Sequence, residues 1–173
     1  MLKKGDQAPS FDLESDAGMR VKLSDYAGRA LVIYFYPKDN TPGCTREAIA
    51  FSERLSEIEA AGASVVGISK DSVKSHCGFR DKHQLKITLL SDPDLAVHQA
   101  YGAWGEKTMY GKKVTGTIRS TFVIDGTGRV LEAFPSVKVD GHADVVLAAL
   151  RKSASAPRSA EATKKARPPA KAG

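Results

Sequence analysis

Two residues of this chain could carry thiol chemistry, Cys44 and Cys77, and only Cys44 has neighbours arranged for it. Cys44 ends the string PKDNTPGC, where an apolar run gives way to helical spacing. The unpaired N–H groups and dipole of a helix N-terminus favour an anion at that place. A free thiol has a pKa of ~8.5, and a helix start with nearby cations lowers it, so the position generates a thiolate without a histidine. Pro42 fits a first helical turn and Gly43 lets a substrate approach the backbone. Thr41 offers a hydroxyl as donor and acceptor, and Pro37 stops the strand and shields the sulfur from water. Other chemistries fit less well. There is no CxxC pair, since TPGC has Thr41 in the first place, which argues against a disulfide reductase. No Cys/His grouping has zinc-like spacing. His76, His83, His98 and His142 are scattered, which disfavours a Cys–His hydrolase, and His76 reads as a helix-face or capping residue.

The elements that must position Cys44 alternate between strand and helix. FDLES and RVKLS flank Asp16-Ala17-Gly18, the pattern of a hairpin. Residues 30–37 (ALVIYFYP) form a continuous apolar run, as in a buried central strand, with Tyr34, Phe35 and Tyr36 mostly in the core. Ala48, Phe51, Leu55 and Ile58 lie along one face of a helix that runs from Cys44 to Gly62. Residues 63–69 make a second buried strand. SVKSHCGFRDKHQL then reads as a helix capped by Asp71 or Ser72. ITLLS is a short strand, and LAVHQAYG a short helix ending at Gly102. TFVID and RVLEAF pair around Gly126-Thr127-Gly128. Residues 142–152 close the fold as an amphipathic helix, with Val145, Val146, Ala149 and Leu150 on its apolar side. Tyr101 and Trp104 read as packing residues. This order predicts an α/β fold of thioredoxin-like type, a central mixed sheet flanked by helices with an N-terminal β-hairpin.

On these residues the chain resembles a known family. PKDNTPGC resembles the peroxiredoxin active-site pattern Pro-x-x-x-Thr-x-x-Cys. The longer YFYPKDNTPGCTREA is similar to the bacterioferritin comigratory protein branch, the Q-type peroxiredoxins. GDQAPSFDL, GISKDSVKSH, LLSDP, YGAWGEK and FVIDGTGRV add to the likeness, which covers roughly residues 3–150. The resemblance implies a thiol peroxidase that reduces hydrogen peroxide and organic hydroperoxides through a Cys44 sulfenic acid, regenerated by thioredoxin or a similar thiol. It implies that Arg119, in GTIRSTFVID, joins the thiolate. It implies no metal, haem or flavin cofactor. The branch commonly has a second cysteine five residues after the first, where this chain has Ile49. Some relatives carry the resolving cysteine in the next helix, which makes Cys77 the candidate here, about one turn off the family alignment. Arg80, three residues on, shares its helix face. The alternative is that Cys77 is a bystander and the enzyme works with one cysteine. Arg119 alone could equally be a solvated or ion-pair residue.

Composition bounds the rest. The 173 residues are 42 % apolar, suited to one domain over residues 1–152. Nothing approaches a membrane span, and MLKKGDQAPSFDL is not a secretory signal, so a cytoplasmic protein is expected. The net charge of +6 belongs to the C-terminus: residues 151–173 hold seven basic residues and one acidic residue, leaving 19 of each sign in 1–150. The Ala/Lys/Pro-rich segment 153–173 lacks large apolar side chains and is expected to be a disordered, solubilising tail. Nucleic acid is not an expected partner of the folded part, and any such contact would be confined to the tail. A monomer is expected from the resemblance. A non-catalytic redox sensor or binding module on the same fold is the alternative from a different class.

Overall fold

The run ALVIYF becomes β3 (Ala30–Phe35), the strand from which the site is hung. Its side chains alternate between two cores because successive residues of a strand point to opposite faces. Val32, Tyr34 and Tyr36 enter one cluster with Cys44, Ala48 and Phe51. Leu31, Ile33 and Phe35 enter the other with Phe11, Tyr101 and Phe122. Burial on both faces is what allows a continuous apolar strand. Each large side chain so buried contributes roughly 1.5–3 kcal/mol.

The structure is a computed structural model that describes residues 1–154. The remaining strands are β1 (Asp12–Ser15), β2 (Arg20–Lys22), β4 (Ala63–Ser69), β5 (Thr88–Ser91), β6 (Trp104–Met109), β7 (Lys112–Thr117), β8 (Ser120–Ile124) and β9 (Val130–Phe134). The helices are α1 (Pro42–Glu53), α2 (Leu55–Ala60), α3 (Val73–His83), α4 (Ala96–Tyr101) and α5 (His142–Ala154). Seven strands form one mixed sheet in the order β2-β1-β5-β4-β3-β8-β9. The pairs β3/β4 and β4/β5 are parallel, while β3/β8, β8/β9, β1/β2 and β1/β5 are antiparallel. Residues of α1, α2, α3 and α5 cover one face, and α4 with the N-terminal segment covers the other. The expected mixed α/β architecture and N-terminal hairpin are therefore present.

The differences from expectation are local. The helix expected over 44–62 starts at Pro42 and is interrupted at Arg54 (φ −96°, ψ 2°), whose Nε donates to Asp144 Oδ1 of α5 at 2.7 Å. The cap of α3 is Ser72, whose hydroxyl accepts from Ser75 N at 3.1 Å. In α5 the buried apolar residues, among those described, are Ala143, Val146, Leu147 and Leu150, while Val145 is 51 % exposed. A 100° step per residue turns 145 outward once 146 and 150 face the core. The two-stranded sheet β6/β7 was not expected, because its strands are rich in Lys and Gly and show no clean alternation. It turns at Tyr110 and Gly111, both at positive φ, as type I′ turns require. α5 runs on through Ser153 and Ala154, two residues past the expected helix end at 152. The rest of the expected disordered tail, 155–173, lies outside the described residues.

Candidate active site

Pro37 is half-buried and follows the end of β3, so the chain leaves the sheet there and re-enters regular structure five residues later. Thr41 is the extended N-cap of α1 (φ −88°, ψ 153°) and Pro42 its first residue. The first intrahelical bond runs from Thr45 N to Thr41 O at 2.8 Å. The N–H groups of Gly43 and Cys44 precede it and have no acceptor in the helix. Cys44 is thus the third helical residue, 1 % exposed. The half-buried Thr41 donates its hydroxyl to Lys38 O at 2.8 Å, which leaves its lone pairs as acceptors.

Sheet pairing supplies the cation. In the antiparallel β3/β8 pair Ser120 lies opposite Phe35, which sets Arg119 beside the strand end from which the Cys44 loop departs. Arg119 Nη2 donates to Cys44 Sγ at 3.3 Å, and Nη1 donates to Glu47 Oε1 at 2.6 Å. Gly43 lies under the guanidinium, where an added Cβ would stand 3.4 Å from Nη2. The guanidinium is desolvated by burial, yet the Cys44 and Glu47 charges outweigh this and hold its pKa above the usual value. Glu47, one helical turn beyond Cys44, is 1 % exposed. Burial pushes its carboxyl up to about 7, against the pull of Arg119. Among the described residues, two buried side-chain atoms have no protein partner, Glu47 Oε2 and Tyr34 Oη. Burial, then the charges of Glu47 and Cys44, raises the Tyr34 phenol well above its ordinary value. The Tyr34 ring lies over Gly67 of β4, where a Cβ would stand 2.7 Å from Cζ, so the adjacent strand must carry glycine. A second cation approaches from β6. Lys107 Nζ donates to Thr117 O at 2.6 Å, and burial together with Arg119 lowers its pKa while Cys44 raises it.

The structure therefore brings Thr41, Cys44 and Arg119 together and adds Glu47 and Lys107, which sequence reasoning missed. Glu47 was within reach, because a carboxylate three residues after a helical cysteine shares its face. Nothing local marks Lys107, which depends on the unforeseen β6/β7 hairpin.

Cys77 lies apart, half-buried on α3, and both cysteines are free thiols. Arg80 Nη2 donates to Cys77 Sγ at 3.4 Å, as the shared helix face implied, and Arg80 Nη1 donates to Asp16 Oδ2 at 2.9 Å. His76 lies on the inner face of α3 rather than at its cap, fully buried and bonded to Asp39 and to Leu90 O. Asp39, Asp71 and His76 hold ligand-type atoms within 4.8 Å of one another. Both ring nitrogens of His76 are engaged, so the group is an internal network. His98 is likewise buried, between Asp92 at 2.7 Å and Thr117 at 3.1 Å. His142 is kept neutral by burial and by Arg119, which bring its pKa down to about 4. Tyr101 packs on Phe35 and Phe122 and donates its hydroxyl to Pro9 O.

The AhpC/TSA family model matches residues 4–133. The chain belongs to the AhpC/TSA family. It is 49 % identical over 146 residues to peroxiredoxin Bcp of Xanthomonas campestris, covering 83 % of this chain and 91 % of that one. It is 42 % identical over 153 residues to peroxiredoxin Bcp of Escherichia coli K12, covering 88 % and 98 %. A solved structure of X. campestris peroxiredoxin Q superposes with a TM-score of 0.79 at 49 % identity, covering 83 % of this chain and 91 % of that one. Another structure of the X. campestris bacterioferritin comigratory protein, with a TM-score of 0.79 at 48 % identity, covers 83 % and 92 % and concerns its alkyl peroxide reduction activity. This chain is a peroxiredoxin of the Bcp/Q branch, a thiol-dependent peroxidase. Its fold is the thioredoxin-like one of that family. Among the described residues, no helix is long and apolar enough to cross a membrane.

Proposed function

We propose that Cys44 is the peroxide-attacking nucleophile, with Arg119, Thr41 and Pro37 completing the site. The observation that carries this is the Arg119–Cys44 contact at 3.3 Å, made between residues 75 apart in sequence at the start of a helix. The Cys44 thiolate attacks one peroxide oxygen. An S–O bond forms, the O–O bond breaks, sulfur is oxidised by two electrons, and the leaving oxygen takes a proton to become water or an alcohol. Thr41 accepts a hydrogen bond from the peroxide, and the Gly43 and Cys44 N–H groups donate to its oxygens. Arg119 steadies negative charge first on sulfur and then on the leaving oxygen. Alkyl hydroperoxides are proposed as substrates beside hydrogen peroxide, because the X. campestris relative is studied for that reaction.

The sulfenic acid is returned to thiol by thioredoxin or a similar dithiol. Cys77 is proposed as the resolving cysteine, supported by its half-buried place on α3 and by the Arg80 guanidinium that donates to its sulfur at 3.4 Å. Bonding the two sulfurs to each other requires α1 or α3 to open locally. The catalytic unit is assigned to residues 1–152, as a cytoplasmic monomer in which any contact with nucleic acid would fall to the basic C-terminal residues. One experiment tests the assignments: peptide mapping by mass spectrometry after about one equivalent of hydrogen peroxide, with a sulfenic-acid trap. A trapped Cys44 or a Cys44–Cys77 disulfide is expected, and Cys44→Ser should abolish peroxide consumption. Wild-type turnover in Cys44→Ser would end the proposal, while trapped Cys44 beside permanently reduced Cys77 would make this a one-cysteine enzyme.

A further inference from the structure

Asp39 lies midway along the loop between β3 and α1, two residues before Thr41, and is 5 % exposed. Every oxygen of its carboxylate is spoken for. Oδ1 accepts from Tyr36 Oη at 2.6 Å. Oδ2 accepts from Ser75 Oγ at 2.8 Å and meets His76 Nδ1 at 2.7 Å. The Asp39 N–H donates to Asp71 Oδ2 at 2.8 Å, the same oxygen that accepts from Ser69 Oγ. His76 is fully buried, and its Nε2 donates to Leu90 O of β5 at 2.9 Å. Nε2 faces a carbonyl, which only accepts, and so donates to it. Burial pushes the Asp39 carboxyl up, but the hydrogen bonds and charge of His76, with Tyr36 and Ser75, overcome it and hold the carboxyl below its usual range.

A buried carboxylate is costly to desolvate, and removing one of its hydrogen-bond partners leaves that cost unmet. With His76, this one joins the loop that presents Thr41 and the first turn of α1 to α3, whose Cys77 directly follows His76, and to β5. None of its bonds goes to Cys44 or Arg119. The pair does no chemistry on sulfur, but it fixes where the loop stands.

We propose that Asp39 and His76 are positioning residues, forming a clamp that holds the Thr41–Cys44 loop in its peroxide-reactive place and that must release before oxidised Cys44 can meet a thiol. The inference rests on Cys44 being the nucleophile. The two steps make opposite demands. In the first, Cys44–S⁻ displaces RO⁻ from ROOH to give Cys44–SOH, and RO⁻ takes a proton; this needs Thr41 and the helix N–H groups held in register. In the second, Cys44–SOH and a thiol form a disulfide and water, and a sulfur that is 1 % exposed can take part only when the loop opens. The clamp favours the closed arrangement, so it speeds the first step and slows the second. Held closed, the sulfenic acid also stays exposed to a second peroxide, which carries it to the sulfinic acid.

The test uses the full chain carrying Cys77→Ser, so that only an added thiol can reduce Cys44. Asp39→Asn, nearly isosteric, and His76→Gln are each compared with this parent by quenched-flow mass spectrometry. Two rates are read, oxidation of Cys44 by hydrogen peroxide and consumption of its sulfenic acid by 2-mercaptoethanol, with far-UV circular dichroism reporting the folded fraction. Oxidation is expected to slow about tenfold or more, since small misplacements at a reacting centre cost up to about a hundredfold. The thiol step should quicken severalfold, and less sulfinic acid should accumulate under excess peroxide. A folding defect would lower both rates in proportion to the folded fraction, and that result, or two unchanged rates, would overturn the clamp. A parent whose Cys44 is never oxidised would instead overturn the nucleophile assignment and the clamp with it.

Discussion

Replacing Glu47 by Gln should change the pH dependence of stability by an amount the structure sets. Glu47 is buried beside Arg119, and burial raises its carboxyl from 4.5 to about 7 despite an ion pair at 2.6 Å. Below pH 4.5 the group is protonated in both the folded and the unfolded chain and contributes nothing. Between 4.5 and about 7 the folded chain holds a proton that the unfolded chain has released, so stability falls as pH rises. At about 1.4 kcal/mol for each tenfold change in proton activity, the loss reaches about 3 kcal/mol by pH 8. Gln keeps an oxygen for Arg119 and has no proton to lose. His142 works in the opposite sense. Its pKa of about 4 lies below the ordinary 6.5, so the unfolded chain binds the extra proton and stability falls as pH drops through that window. The two slopes oppose each other, and the wild-type profile alone hides both. The difference between Glu47→Gln and wild type removes His142, which is common to both chains. Urea unfolding followed by circular dichroism gives that difference at about pH 5 and about pH 8. The variant should gain about 2.5 kcal/mol on wild type between the two, since the first part of the loss is already complete at pH 5. A gap that stays constant with pH would mean that Glu47 titrates as an ordinary carboxyl, and the argument from its burial would be wrong.

Arg119→Ala should slow Cys44 oxidation by about 10²- to 10³-fold, the usual effect of removing one preorganised donor from a developing anion. Stopped-flow competition for peroxide reads the rate, and a loss under about threefold would reduce Arg119 to an ion-pair partner of Glu47. Gly67→Ala should destabilise the fold by about 1–3 kcal/mol through overpacking. The new Cβ would stand 2.7 Å from Tyr34 Cζ, at a ring enclosed by Phe51 and Tyr36. Its urea midpoint should fall with an unchanged slope. An unshifted midpoint would show that the ring moves aside freely.

What the sequence determined by itself was local or periodic. The apolar run 30–37 specified a strand buried on both faces, because only such a strand can do without polar alternation. Pro37, Pro42 and the helical spacing after Cys44 put a cysteine at a helix start, and the motif around it named the family. The tertiary structure decided what depends on pairing between distant strands. Arg119 reaches Cys44 because Ser120 lies opposite Phe35 in an antiparallel register, and a register one residue away would turn that side chain to the other face. Glu47 became a group with a pKa near 7 because α1 packs on the sheet, since the shift comes from lost water and not from the residue type. His76 read as a helix-face or capping residue. It became the buried partner of Asp39 only because the loop after β3 folds against α3, a contact across 37 residues. Helical and strand periods are written in neighbouring residues and survive without the fold. Burial, register and the electrostatics they create belong to surfaces that exist only once the chain has closed on itself.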